Sequence, residues 1–561
     1  PSESTPDQPV RVTAGLRSLI GEKEESEKAR QALWERVCRD FAGPVEAREQ
    51  AIEQRSRIWD EAWTPGDVKA LAARYARNTD GEVRARAQDL AKAAATPADL
   101  AAVRALYYLR QARERLAFAR KTLELVERAA PRPKLAAELA ALEKAVELAT
   151  KRPDAVDPDL PRRALTIRRR IILSHPLLDF DRLLINKRVL PRYNHMCDQY
   201  LGRHSGIGAG LVVLDNWKTE PRETVLLDGK LPPGAHHHPD LSFDGTRILF
   251  SYCDHTPRDA RHRRFWIYEI GVDGTGLRQL TGTPTDPREG WGGRQTVLIE
   301  DWDPCYLPGG GFAFISTRSQ TFGRCHGSRY VPTYMVFRAN ADGSDIRQLS
   351  FGEANEWDPS ILPDGRIIYT RWDYINRHDT IFQSLWTMRP DGTATAHFFG
   401  NYSRGPCMIA EARAIPNSHK IVATATDHHG YTAGSIIVID TARGQDQAPP
   451  LFGVTPELGW PEGGAPRGTP FAPHPPNGEE PPVGHIMGGR RAATPFPLSE
   501  ELFLAAYAHG DHMAIYLIDT LGGRELLYRD PTVSCFAPIP IRPTPRPPVL
   551  QSTVANTRRE T

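Results

Sequence analysis

The stretch Trp266-Ile-Tyr-Glu-Ile-Gly-Val-Asp-Gly-Thr-Gly-Leu-Arg-Gln-Leu-Thr281 holds two short apolar-alternating runs around an Asp-Gly pair. Asp-Gly supplies the positive φ angles of a tight turn, so the stretch predicts a β-hairpin. It returns as "MVFRANADGSDIRQLS" (Met335 to Ser350) and "LWTMRPDGTATAHFFG" (Leu385 to Gly400). Degenerate copies start at Ile436 and Ile515. A second unit precedes each hairpin: "HHPDLSFDGTRILFSY" from His237, "WDPCYLPGGGFAFIST" from Trp302 and "WDPSILPDGRIIYTRW" from Trp357, with weaker forms from Glu411 and Arg491. The two units together give four strands per repeat of roughly 45 to 65 residues, the signature of propeller blades.

Five blades are predicted to start near residues 236, 299, 354, 405 and 485. A sixth is implied by the strand-like runs between Arg182 and Gly229, which lack a first strand. "CFAPIPIRP" (Cys535 to Pro543) would supply it, closing the ring and removing sheet edges that invite aggregation. The expected fold class is therefore an all-β six-bladed propeller over residues 182–545, with an insertion loop at about 448–484 and a polar tail at 546–561.

Residues 1–175 carry a helical period instead. Thr96-Pro97-Ala98-Asp99 reads as a cap, a first-turn Pro and an acid that favours the helix dipole. Leu109, Leu116 and Leu123 then recur every seventh residue with Ala112, Ala119 and Val126 between them. "APRP" (Ala130 to Pro133) interrupts, and Leu135, Leu139, Leu142, Val146 and Ala149 resume the pattern, predicting an antiparallel coiled-coil hairpin.

Across 561 residues, 71 Lys and Arg against 69 Asp and Glu leave a formal charge of +2, which provides no electrostatic drive toward nucleic acid. No apolar run reaches the roughly 18 residues of a membrane span. The seven cysteines are dispersed with no C-x-x-C, so neither a zinc ribbon nor covalent c-type haem attachment is expected. G-x-S-x-G and nucleotide-binding glycine patterns are also missing.

Aligning the blade openings brings His238, Asp303, Asp358 and Glu411 into register before four successive inner strands. Inner strands line the channel, so one imidazole and three carboxylates are predicted around its mouth. His236 lies two residues before His238, and an extended chain, favoured by Pro239, would place both on one side and His237 on the other. His236, His238, Asp303, Asp358 and Glu411 thus form a candidate divalent-metal site. A water-filled polar channel and an acid–base role for the same groups are the alternatives, and Arg490 and Arg491 would neutralise the acids if no cation did. Cys253 with His255, Cys325 with His326, and His428 with His429 are weaker thiol and imidazole pairs in loops. Met196-Cys197 reads as a buried packing pair, and the recurring Trp266, Trp302, Trp357, Trp372 and Trp386 as packing between blades.

The run "P-x-x-x-P-D-G-x-I-x-[FY]" followed by "D-G-[ST]-x-x-R-Q-L-[ST]" resembles the TolB-type six-bladed propeller. "NHMCDQYLGRHSGIGAGLVVLDNW" (Asn194 to Trp217), "EANEWDPSILPDGRIIYTRWDY" (Glu353 to Tyr374) and "SCFAPIPIRPTPRPPV" (Ser534 to Val549) are similar to the hydrazine synthase alpha subunit middle-domain family of planctomycete-type bacterial proteins. That resemblance implies a periplasmic or secreted binding and scaffolding module, docking protein partners through its helical hairpin or propeller faces. It also leaves an alternative, an enzyme or subunit of a haem- or metal-dependent redox complex with its site at the channel mouth.

Overall fold

The computed structural model describes residues 97–151 and, from 156 to 554, all but the stretches 191–195, 283–298, 322–331, 375–381, 459–490 and 509–511 and scattered single positions. Two compact units divide near Asp179 and Phe180, with Lys218–Pro221 belonging to the first.

In the first unit α1 (Pro97–Glu127) and α2 (Pro133–Lys151) flank the Pro turn. Leu109, Ala112, Leu116, Ala119, Leu123 and Val126 of α1 are buried, as are Leu139, Leu142 and Val146 of α2. The arrangement exceeds the expected hairpin: α3 (Leu160–Leu173) also packs along α1. Thr122 and Leu125 are buried beside the heptad positions, so the buried stripe of α1 is wider than a two-helix seam needs. Ile167, Ile171 and Ile172 fill α3, and the Arg168 guanidinium lies 4.3 Å over the Phe118 ring.

The second unit is built of short antiparallel strands. Its first sheet holds β1 (Arg182–Arg188), β2 (Gly210–Asp215) and β3 (Arg222–Val225). The second holds β4 (Gly234–Leu241), β5 (Arg247–Asp254), β6 (Phe265–Gly271) and β7 (Arg278–Gln279). The third holds β8 (Asp301–Tyr306), β9 (Phe312–Ser316), β10 (Met335–Ala339) and β11 (Arg347–Gln348). The fourth holds β12 (Glu356–Ile361), β13 (Ile367–Trp372), β14 (Gln383–Met388) and β15 (Ala396–Phe399). The fifth holds β16 (Met408–Ala414), β17 (Ile421–Thr426), β18 (Ser435–Ile439) and β19 (Leu451–Gly453). The sixth holds β20 (Ala492–Pro497), β21 (Leu502–Ala508), β22 (Met513–Asp519) and β23 (Arg524–Tyr528). One parallel pair, Gln383 with Met408, bridges the fourth and fifth.

The last strand, β24 (Ser534–Pro540), pairs antiparallel with β1 and completes the first sheet from the far end of the chain. Lys187 ties this junction, buried between the carboxylates of Glu223 and Asp530. β4, β8, β12, β16, β20 and β24 pack successively side by side, and β24 also lies against β4, a propeller-type arrangement. Trp302, Trp357 and Trp372 share one buried cluster drawn from several sheets, while Trp266 and Trp386 are only half-buried.

Two expectations need adjustment. β19 lies inside the run expected to be an insertion, and with three residues it is too short to show a period; residues 459–490 lie outside the described residues. The described part of the C-terminal segment is laid along the sheets. Thr544 N–H donates to Phe243 O at 2.8 Å, and Thr553 N–H donates to the Asp391 carboxylate at 2.6 Å.

Candidate metal centre in the channel

Each of the six innermost strands contains a β-bulge, where pairing slips between, for example, His237 and Asp240 or Trp302 and Cys305. At every bulge one non-glycine residue takes a left-handed backbone: His238 (φ 37°), Asp303 (51°), Asp358 (50°), Glu411 (56°), Thr494 (49°) and Ala537 (50°). Such a conformation costs about 1–2 kcal/mol per L-residue. Because Thr494 and Ala537 share it with the ionisable four, it belongs to the architecture and re-aims one residue per sheet toward the axis.

Together these residues line a cavity of about 60 Å³, space for an ion and a few waters. Side chains link the ring to the next backbone. Asp358 Oδ2 accepts from Glu411 N–H (3.2 Å), Glu411 Oε2 from Thr494 N–H, and Thr494 Oγ1 from Ala537 N–H (2.8 Å). His238 Nδ1 meets Asp303 Oδ1 directly.

Donor atoms of His238, Asp303 and Asp358 lie within 4.8 Å of one another, the one such group among the described residues. Glu411 adjoins through its N–H bond to Asp358. Three buried atoms of the ring have no hydrogen-bond partner: His238 Nε2, Asp303 Oδ2 and Glu411 Oε1. Unpaired buried groups of this kind call for an ion or ordered water. Burial, then the neighbouring Glu411 charge, pushes the Asp358 carboxyl up to about 7, and burial also raises Glu411. Burial, then Arg188 and Arg413, holds His238 well below its usual range, in the neutral form a metal requires.

The bulge changes the expected geometry of the histidine run. Backbone at His238 is left-handed rather than extended, so strict alternation ends there and His236 does not share its side. His236 packs 5.2 Å from the Tyr252 ring and 6.3 Å from Phe250, and neither ring nitrogen has a partner. Burial, then the charge of His255, lowers His236 to about 4. His237 contacts Arg188 at 3.0 Å and packs on Phe265.

Arg491 pairs with Asp427 at 3.3 Å and donates to Ala433 O at 3.4 Å. Arg188 and Arg413 are the cations whose charge acts on Asp358 and Glu411. Arg413 was legible two residues after Glu411; Arg188, on the first sheet, had no comparable signal. His255 bonds Ser205 Oγ at 2.8 Å, and the same serine also reaches the fully buried Cys253 thiol. His428 packs on Trp372. Arg490, Cys325, His326, Cys197 and His429 lie outside the described residues.

Sequence reasoning missed Tyr200. With Met196 and Leu201 it enters the buried cluster of Trp302 and Trp357, and its ring centroid stands 5.6 Å from that of His238. Its hydroxyl bonds Thr432 Oγ1 at 2.7 Å, and Gln199 Nε2 donates to that threonine oxygen at 3.2 Å. The β1–β2 connection thereby puts an aromatic floor beside the ring.

No known protein family matches the chain, and no curated protein does. Among solved structures, hydrazine synthase of Kuenenia stuttgartiensis is similar with a TM-score of 0.47 and 15% identity over 66% of this chain and 48% of that one. The chain thus spans about half the length of that structure's chain. A puromycin-hydrolysing peptidase of Mycobacterium tuberculosis gives 0.29 and 12% over 53% and 38% of the two chains. A TolB protein from Agrobacterium tumefaciens gives 0.28 and 13% over 53% and 93%. All three likenesses are distant, with TM-scores below 0.5. No described helix is long and apolar enough to cross a membrane.

Proposed function

We propose that the β region is a closed six-bladed propeller acting outside the cytoplasm as a binding module, with a divalent transition-metal ion held in its channel. His238, Asp303 and Asp358 would be the protein ligands, with Glu411 as a neighbouring carboxylate. The observation that carries this reading is the set of three buried, unpartnered atoms on His238, Asp303 and Glu411 within one ring. A mixed imidazole and carboxylate set suits zinc, manganese, iron or cobalt, and the ion would offset the repulsion of crowded acids. Protein partners would dock on the outer faces and the helical unit, leaving the ion as an internal brace. The Asp358 carboxyl near 7 supports a second reading, a general acid–base group at the same place.

The full chain, dialysed against Co²⁺ and then metal-free buffer, is expected to retain about one equivalent. His238→Ala should lose it and His236→Ala should keep it, because only His238 stands in the ring. At a free-ion concentration 100-fold above Kd the wild type gains about 2.7 kcal/mol of stability that His238→Ala does not. A wild type that retains no metal and melts at an unchanged temperature in excess Co²⁺, Zn²⁺ and Mn²⁺ would sink the metal reading.

A further inference from the structure

Two residues beyond each bulge a second tier lines the same cavity: Asp240, Cys305, Ser360, Arg413, Phe496 and Ile539. Asp240 and Arg413 are the one carboxyl and the one guanidinium of this tier. They belong to β4 and β16, three steps apart in either direction through the succession β4, β8, β12, β16, β20, β24. Their ion pair, Arg413 Nη1 to Asp240 Oδ1 at 3.8 Å, therefore spans the cavity from one side to the other.

The two ends are held differently. Asp240 is fixed, because its other oxygen accepts the Tyr306 N–H at 2.9 Å. The Arg413 guanidinium has this long ion pair and the Phe496 ring at 5.9 Å, and its side chain is 32% exposed. Its charge acts on His238, Asp240, Cys305, Asp358 and Glu411. Ring and rim are thus facing groups of one electrostatic unit, and Arg413 is its flexible member.

Resting on the metal-site reading above, we infer that Arg413 is a gate and resident counter-ion: it bars the channel through Asp240, balances the ring carboxylates while the site is empty, and is displaced when a divalent cation enters. The site then discriminates by charge. A monovalent ion gains too little from the ring to displace a tethered guanidinium, whereas a divalent ion replaces one positive charge with two.

The experiment titrates the full chain with Co²⁺ and with Mn²⁺, reading Kd by calorimetry and the association rate from the cobalt visible band in a stopped-flow mixer. Arg413→Met removes the charge at similar length, Arg413→Gln is a second neutral variant, and Arg413→Lys keeps the charge. Like charges a few ångströms apart near a protein surface repel strongly enough to change affinity by roughly ten- to a hundred-fold. Both neutral variants should bind tighter by that factor and load faster, and Arg413→Lys should follow the wild type. Equal Kd and rate across all four proteins overturns the gate and leaves the metal site standing. Tightening by Arg413→Lys as well would replace the charge argument with a steric one. No binding by any of the four overturns the gate together with the site.

Discussion

Asp301→Ala is expected to destabilise the β region by about 3–5 kcal/mol, read as a lower urea midpoint in tryptophan fluorescence. Asp301 is fully buried, and Arg318 pairs with it through Nε at 2.9 Å and Nη2 at 2.7 Å. Ser316 Oγ donates to the same carboxylate at 2.6 Å. Deleting the acid removes the carboxylate held by two nitrogens of a guanidinium whose side chain is only 8% exposed. Breaking a buried pair costs far more than replacing it whole. Asp301→Leu with Arg318→Met should accordingly recover most of the loss. A single-variant penalty under 1 kcal/mol would show that water reaches Arg318 and that the pair is not shielded.

The adjacent residue provides the second large effect, with pH as the variable. Burial pushes the Glu300 carboxyl up to about 7, overriding the N–H bonds from Gly202 (2.8 Å) and Phe265 (3.1 Å) and the charges of Arg203 and Arg264. The unfolded chain titrates near 4.3. Between those values the folded state holds more protons than the unfolded one, so stability falls as pH rises from about 4 to 7. Glu356, raised to about 7 chiefly by burial, slopes the same way. Glu300→Gln retains an acceptor for Gly202 and Phe265 without the charge. It should leave stability unchanged at pH 4 and raise it by roughly 3–4 kcal/mol at pH 8. Because Gly202 lies two residues after Tyr200, amide exchange in 199–205 should slow in the variant at pH 8. A variant with the wild-type pH slope would remove Glu300 as the cause.

These two residues precede Trp302 and Asp303, and the four, three of them in β8 and Glu300 just before it, show how much one short run assigns by position. Glu300 holds backbone donors, Asp301 holds Arg318, Trp302 packs in the shared core and Asp303 faces the channel. Alternation of this kind is visible in the residues, and so was the register of His238, Asp303, Asp358 and Glu411. What alternation mispredicts is the bulge: Pro239 argues for extended backbone, yet the slipped pairing turns His238 left-handed and separates it from His236.

Local chemistry was sufficient for the repeating hairpins, their Asp-Gly turns, the four-strand units and the Pro-bounded helices, because each depends on contacts between near neighbours. Pairing of β24 with β1 was also legible, since the first unit lacked a strand and one remained at the other end. The addition of α3 to the α1 face, the seating of Tyr200 beside the ring and the reach of Arg413 across to Asp240 were decided only by tertiary structure. Each joins residues far apart in the chain whose partners are chosen by the space left after packing. The proposed cation site, with one residue per sheet, is of the same kind: sequence names the candidate donors, and the bulges and the closeness of the inner strands set which of them meet.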